Sequence, residues 1–307
     1  MNFRIKSFVQ RIIACLPAPL ANDAYYFIQR RWGRLQQVDP MPYFRQALLL
    51  IKLSRECWPS SGPIVLEVGT GRTVNIPFAL WLAGATRIIT LDLNRYLRPE
   101  LVMESLSAFR RDHTELAALF TENDIPILQE RWTALLSCTT ADEALSIAQI
   151  EYHAPADAAH TIFYAQSIDL HISVNVLEHV PPNVLRNIMI EARRLLRPNG
   201  RMVHTVDPSD HFSQTDPSLN SVNFLRYSQS EWSKIAGNQF MYQNRLRVSD
   251  YQRTLEQSGF CIESKSTALD SKALKAILSG FPIHADFSHL TPEDLATAKL
   301  DFIARLA

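Results

Sequence analysis

The stretch Ile64-Val-Leu-Glu-Val-Gly-Thr-Gly71, with the acid at Asp92, constrains this chain more than any other part of it. Ile64–Val68 is a short apolar run carrying one carboxylate, Glu67, and reads as a buried strand. Gly69 and Gly71 follow, and two glycines this close mark a sharp turn whose backbone a ligand can approach, because no Cβ stands in the way. Asn75–Ala83 predicts a helix with an apolar face, and Arg87–Leu91 a second strand that ends at Asp92. Strand, glycine turn, helix, strand and acid make the βαβ half of a nucleotide-binding α/β fold.

The same residues narrow the ligand. A dinucleotide turn needs a third glycine for close helix–strand packing, and counting from Gly69 that place holds Val74. Glu67 would repel a pyrophosphate and attract an amino group or another positive centre. Asp92, near the end of the second strand, is spaced to accept hydrogen bonds from ribose hydroxyls. A ribose with a cation and no phosphates describes S-adenosylmethionine. The E-x-G-x-G pattern Glu67, Gly69, Gly71 with its distal acid resembles motif I and the following strand of the class I methyltransferases. The resemblance implies a Rossmann-like α/β fold: a seven-stranded, mostly parallel sheet with helices on both faces.

The totals leave room for this reading. The chain has 307 residues, 47% of them hydrophobic, enough for one large domain with additions. Lys plus Arg equals Asp plus Glu at 31 each, so no charge excess favours nucleic acid as a partner. Cys15, Cys57, Cys138 and Cys261 are scattered without a C-x-x-C pair, which suggests neither a zinc site nor a disulfide framework. That usage fits a reducing compartment, and the cytoplasm is the expected location. No apolar run approaches the roughly 18–20 residues needed to span a bilayer.

Residues 1–60 read as an N-terminal helical extension. In Met1–Leu16, residues Phe3, Phe8, Val9, Ile12, Ile13 and Leu16 can share one helical face, with Arg4, Lys6 and Arg11 elsewhere. Such a helix packs on the main domain or lies on a membrane surface; Gln10 and Arg11 interrupt the apolar run and argue against a signal peptide. Asn22–Arg34 predicts a second helix with Asn22 as N-cap, whose aromatics Tyr25, Tyr26, Phe27 and Trp32 are placed to cover a cleft or to fill a core. Pro42–Cys57 predicts a third, and Pro59-Ser-Ser-Gly-Pro63 breaks the chain. The main domain is then 61–307.

Two segments depart from a minimal fold. Between Asp92 and the next strand signal, Gln149–His153, lie three helical stretches: Glu100–Phe120, Ile125–Leu136 and Ala141–Ala148. The last opens on a capping box, Thr140 with Glu143. We read about 93–147 as a helical insertion, a lid or a homodimer surface. The second departure is 208–253, polar and aromatic, read as a substrate or lid segment. Between them Ser167–Asn175 is the fourth strand and runs into Leu177-Glu-His-Val180. A helix Asn183–Leu196, a terminating Arg197-Pro-Asn-Gly200 and a fifth strand Arg201–Val206 complete a cassette. It resembles the branch of the class I methyltransferases that includes many small-molecule enzymes, and with motif I the resemblance spans roughly 60–207. Phe260–Ser264 is a further strand, Thr291 starts a short helix, and Leu300–Leu306 is expected to close the sheet with an antiparallel edge.

The resemblance implies site residues. Glu67, Gly69, Thr70, Gly71, Asp92, Leu93 and Asn175 would hold the methyl donor, with Asp157 and Ala158 on its adenine. Methyl transfer asks for alignment, exclusion of water and at most removal of a proton, so catalytic residues leave a faint trace. Asp207 and His211, beyond the fifth strand, and His179 are the candidate base or orienting groups. His204 points to the face opposite Asp207 and is expected to be structural. Glu178-His179, or two acids with a histidine at 207–211, could hold a divalent ion, but no metal ligands are assigned. Arg245 and Arg247 are candidates for an anionic acceptor, or else a solvated helix entry; Tyr227 and Trp232 are candidates for stacking on one. The expected activity is O-methylation of a small or medium polar acceptor: a sugar, a glycan precursor or a natural product. N-methylation, RNA methylation and a non-catalytic S-adenosylmethionine-binding scaffold are the alternatives.

Overall fold

The computed structural model describes residues 3–33, 35–121 and 124–307. The chain opens with α1 (Phe3–Ala14), α2 (Ala18–Trp32) and α3 (Met41–Ser54). It continues through β1 (Ile64–Val68), α4 (Asn75–Leu82), β2 (Arg87–Leu91), α5 (Pro99–Ala117), α6 (Ile125–Ser137), α7 (Ala141–Ile147) and β3 (Ile150–His153). Then come β4 (Ile168–Val174), α8 (Pro182–Leu195), β5 (Leu196–Val206), α9 (Gln229–Ala236), α10 (Val248–Gln257) and β6 (Phe260–Leu269). The chain ends with α11 (Ser271–Leu278), α12 (Pro292–Leu295) and β7 (Thr297–Leu306).

The seven strands form one sheet in the order β3-β2-β1-β4-β5-β7-β6. β1 to β5 pair in parallel, and β7 is antiparallel to both β5 and β6. The antiparallel strand therefore lies inside the sheet, and the edge is β6, contrary to the closing antiparallel edge expected from the sequence. Both strands also run longer than expected. Beyond Ile262 the side chains of β6 are half or fully exposed, so the apolar alternation that marks a strand stops while the hydrogen bonding continues. Its Glu263 and Lys265 suit an edge that must not recruit another chain.

Period-2 alternation sends β1 side chains to two different cores. Val65 packs with α3, α4, α5, α6 and α7, around Phe44, Phe78, Phe109 and Trp132. Leu66 and Val68 pack on the other face with Leu185, Ile188, Met189 and Ala192 of α8 and with Tyr251 and Leu255 of α10. Every residue of α4 is buried, since the helix sits between the sheet and further helices. A third cluster joins Phe3 of α1 to Phe212, Phe224, Trp232 and Met241.

Several local expectations are corrected. α2 starts after Pro17 with Pro19 in its first turn, so Asn22 lies inside the helix and caps nothing; a proline at a helix start gives up only an N–H that would be orphaned anyway. The expected helix end at Arg34 lies outside the described residues. The third helix stops at Ser54, and 55–57 form a 3-10 turn. Arg197-Pro-Asn-Gly200 is not a turn between helix and strand but a bulge within β5: Ile168 pairs with Leu196, and the next pair in register is Leu170 with Arg201. The capping box of Thr140 with Glu143 is formed. The 93–147 insertion supplies core helices: Leu101, Val102, Leu106 and Phe109 of α5 are buried against the same cluster as α4.

Candidate functional site

The strand order reverses between β1 and β4, because the chain winds one way from β1 to β3 and the other way from β4 onward. At such a switch point the loops leave in opposite directions and open a crevice at the carboxyl ends of the strands. A cleft of about 480 Å³ lies there. Its donor end is lined by Val68, Gly69, Gly71, Arg72, Asp92, Leu93, Asp157 and Ala158.

The two glycines have different tasks. Both have positive φ, +83° at Gly69 and +70° at Gly71. A Cβ on Gly69 would lie 2.4 Å from a methyl of Val176, whereas one on Gly71 would meet nothing within 4 Å. Gly69 is therefore required by packing between the loops after β1 and β4. Gly71 borders open cleft, an approach surface for a ligand. Asp92 Oδ2 accepts from Gly71 N at 2.8 Å and Oδ1 from Asn94 N at 3.3 Å. These bonds fix the carboxylate at the cleft wall and leave lone pairs on both oxygens for a diol. Burial raises its pKa, while the Gly71 and Asn94 N–H groups and the nearby Arg72 guanidinium oppose the rise. Asp157 is exposed at the other side of the cleft, its Oδ1 accepting from Ala159 N at 2.8 Å and its Oδ2 3.2 Å from His160 Nδ1. The residues present thus fit a nucleoside: an open glycine cradle, a fixed carboxylate for hydroxyls, and an acid with a buried alanine beside it for a base.

Glu67, Thr70 and Asn175 are placed otherwise than the resemblance implied: none of the three lines the cleft. Glu67 pairs in register with Thr90 of β2 and accepts from its hydroxyl at 2.6 Å, and that hydroxyl also meets Thr70 Oγ1. Burial pushes the Glu67 carboxyl up to about 8 against this hydrogen bond. Near neutral pH it is a mostly uncharged buttress beneath the turn, so the attraction to a positive centre expected of it does not arise. Asn175 is an exposed rim residue with φ +53°, its N–H bonded to Thr205 O at 2.9 Å.

Sequence reasoning passed over Arg72. Its guanidinium lies in the cleft 5.6 Å from the Tyr26 ring and 5.1 Å from the Tyr96 ring, a cation between two π faces. It stands at the donor end as a partner for a carboxylate. The immediate position after Gly71 was the available signal.

The other end of the cleft is lined by Tyr25, Val176, His179, Val180, Pro181, Gln239, Phe240 and Tyr242. Tyr25 of α2 stacks on Phe240 at 4.4 Å and 20°. Of the N-terminal aromatics and those of 208–253, Tyr25, Phe240 and Tyr242 line the cleft. Among the described residues of 93–147 only the first, Leu93, Asn94 and Tyr96, line it. The other aromatics of 208–253 are mainly core, with Phe212, Phe224, Trp232 and Tyr251 buried.

His179 sits in a 3-10 turn, 177–179, and is clamped from 242–244. Its Nδ1 lies 2.7 Å from Tyr242 O. A carbonyl can only accept, so Nδ1 carries the hydrogen and Nε2 holds a lone pair. Asn244 secures the same turn: its N donates to Glu178 O, and its side chain to Leu177 O and Val180 O. Burial, then the neighbouring His211, hold the His179 pKa down to about 4, so the ring is neutral at pH 7. His211 and Asp207 lie behind it rather than in the cleft. The His179 and His211 rings are 4.9 Å apart, and His211 Nε2 is 3.4 Å from Asp207 Oδ2. Burial pulls the Asp207 pKa upward, but His211 and the Ser209 hydrogen bonds outweigh it and hold the carboxylate below its usual value. Structure therefore brings the three catalytic candidates together. Buried Glu178, considered in sequence only as a cation partner of His179, and buried Gln243, which no candidate set included, complete the group; Gln243 accepts from His211 N and donates to Ser209 O.

The four acceptor-binding candidates are not in the cleft. Arg247 is fully buried and donates to the carbonyls of Pro208, Asp294, Leu295 and Thr297, tying the loop after β5 to the turn before β7. Arg245 donates to Phe224 O, Tyr227 O and Gln229 Oε1. Both read as charged surface in sequence because nothing local reveals that several carbonyls converge on them. Trp232 is buried with its indole N–H on Gln243 O, and Tyr227 stacks on it outside the cleft. His204 is structural as expected, between Ser173 Oγ and the ring of His171.

Residues 123–204, from α6 to β5, match the family model for a methyltransferase domain. No curated protein matches the chain. Solved structures similar to it include an S-adenosylmethionine-dependent methyltransferase from Methanosarcina mazei, 14% identical over 82% of this chain and 96% of that one, with a TM-score of 0.48. Another is geranyl diphosphate C-methyltransferase from Streptomyces coelicolor A3(2), 10% identical over 86% of this chain and 79% of that one, with a TM-score of 0.49. A third is an S-adenosylmethionine-dependent methyltransferase from Mesorhizobium loti, 15% identical over 83% and 96%, with a TM-score of 0.41. The domain match over residues 123–204, the sheet order, the glycine cradle and the acids at Asp92 and Asp157 agree with the resemblance to the class I methyltransferases. These findings support an S-adenosylmethionine-dependent methyltransferase.

Proposed function

We propose that the chain methylates an oxygen of a small or medium polar acceptor, of the size of a sugar, a glycan precursor or a natural product. The observation that carries this reading is the acceptor end of the cleft. A neutral imidazole, His179, lines it with Nδ1 engaged by Tyr242 O and Nε2 left with a lone pair, in the same cleft as the aromatic pair Tyr25 and Phe240. S-adenosylmethionine supplies a methyl already activated on a sulfonium, so the chain has three tasks. Gly71, Asp92 and Asp157 hold the nucleoside, with Arg72 opposite the donor's carboxylate. Tyr25, Phe240 and Tyr242 exclude water and offer flat apolar faces to a ring. His179 accepts a hydrogen bond from the hydroxyl under attack, with His211 and Asp207 behind it. The test is transfer of labelled methyl groups from S-adenosylmethionine to a fractionated extract of polar metabolites. Label in a base-stable ether supports the reading; label confined to nitrogen or carbon, or to RNA, overturns it.

Peripheral membrane contact belongs to the same reading. α1 buries Phe3, Ser7, Gln10 and Ile13, so its other apolar residues, Ile5, Phe8, Val9 and Ile12, face outward, continued by Leu16 and Leu20. Arg4 and Arg11 flank that row. An apolar row bordered by cations suits an anionic lipid surface and would bring a lipid-linked acceptor to the cleft. Among the described residues, no helix is long and apolar enough to cross a membrane.

A further inference from the structure

Glu178 is 2% exposed, and both its carboxylate oxygens lack a hydrogen-bond partner. The backbone N–H groups of Glu178 and Asp207 favour its charge, yet neither makes a hydrogen bond of ordinary geometry. An isolated buried carboxylate is costly, and proteins pair it, protonate it or place a cation on it. Here the surroundings supply ligands, not a counter-charge. One oxygen of Glu178, one ring nitrogen of His179 and one of His211 lie within 4.8 Å of one another. His211 Nε2 is itself buried and without a hydrogen bond, and Asp207 Oδ2 stands 3.4 Å from it. With Nδ1–H fixed on Tyr242 O, His179 Nε2 keeps a free lone pair. That is the arrangement of a metal-ligating histidine, whose second nitrogen is anchored on a carbonyl or carboxylate.

We propose that Glu178, His179 and His211, with Asp207 as the second carboxylate at hand, bind one divalent first-row transition ion at the acceptor end of the cleft. Ligand bonds of about 2.1 Å put two ligand atoms at most about 4.2 Å apart across an ion, so the side chains need to close by only about half an ångström. Two imidazoles with one or two carboxylates favour Mn²⁺, Co²⁺, Fe²⁺ or Zn²⁺ over Mg²⁺ and Ca²⁺, which prefer all-oxygen shells. The buried groups are otherwise unexplained: both carboxylate oxygens of Glu178 and Nε2 of His211 have no hydrogen-bond partner. His179 lines the cleft, so an open coordination position faces the acceptor. Resting on the methyl-transfer reading, the ion supplies Lewis acidity toward acceptor oxygens and selects acceptors with two adjacent oxygen donors. His179 then serves as its ligand, and the proton of the attacked hydroxyl passes to solvent or to a carboxylate.

The test uses the full chain, dialysed against chelator and titrated with Co²⁺ alone. The expected result is one Co²⁺ per chain with visible d–d absorption. Glu178→Gln and His211→Ala should each weaken uptake at least tenfold, while His113→Ala on the outer face of α5 leaves it unchanged. Circular dichroism verifies that Glu178→Gln is folded, and His211→Ala provides the second variant. Absence of Co²⁺ uptake by the unsubstituted chain, or equal uptake by folded Glu178→Gln, overturns the site. Calorimetry with S-adenosylhomocysteine keeps the two readings separate. Nucleoside binding without Co²⁺ uptake ends the metal site alone; Co²⁺ uptake without nucleoside binding ends the donor-site reading alone.

Discussion

Asp92→Ala is the substitution that tests the donor site most directly. In the structure Asp92 is 9% exposed and its carboxylate is held by Gly71 N and Asn94 N at the cleft wall. Two ribose hydroxyls donating to it make two charge-assisted hydrogen bonds, each worth about 1.5–3 kcal/mol. Their loss costs at least about 3 kcal/mol, which is roughly a hundredfold in affinity. Part of the effect acts through the turn, because Gly71 N–H loses its acceptor and the cradle slackens. Both contributions have the same sign, so the hundredfold is a lower bound. The assay is isothermal titration of S-adenosylhomocysteine, with circular dichroism to verify the fold. A folded Asp92→Ala that binds within about threefold of the unsubstituted chain would refute the placement of the ribose, since about 0.7 kcal/mol is too little for even one such bond.

The remaining predictions use the same geometry. Gly69→Ala should lower Tm sharply, because its Cβ would lie 2.4 Å from Val176; Gly71→Ala, with nothing within 4 Å, should cost only the roughly 1 kcal/mol of a strained positive φ and yet lose nucleoside affinity. Equal effects of the two on both readouts would contradict the division of labour between them. Glu67 has its folded pKa raised from 4.5 to about 8. The folded state therefore keeps a proton that the unfolded state loses between those values. Stability should fall by up to about 1.4 kcal/mol per pH unit across that window and level off above it. Glu67→Gln, which keeps the Thr90 hydrogen bond, should remove that slope in denaturant titrations from pH 5 to 9. Phe8→Asp with Ile12→Asp should abolish co-sedimentation with anionic vesicles and leave nucleoside binding intact; undiminished co-sedimentation would end the lipid reading of α1.

How much of this was legible in the chain depends on the range of the interactions concerned. β1, the glycine turn, α4, β2 and Asp92 follow one another in sequence, so apolar pattern and glycine placement were sufficient to locate them and to indicate the class of ligand. The Thr140 and Thr291 caps are local for the same reason. Strand ends were misread where exposure removed the alternation, as in β6, and where a bulge imitated a turn, as at 197–200. The direction of Glu67 and the burial of Arg245 and Arg247 lay beyond local reading, because each is decided by partners that arrive from elsewhere in the chain. The site shows the same division. By itself the sequence determined the fold class and the glycine turn with Asp92, since both are written in nearby residues. Only the tertiary structure decided the acceptor end. The turn at 177–180, the loop at 207–211 and the clamp at 242–244 meet through hydrogen bonds between distant residues, and that meeting leaves the carboxylate of Glu178 buried between two imidazoles.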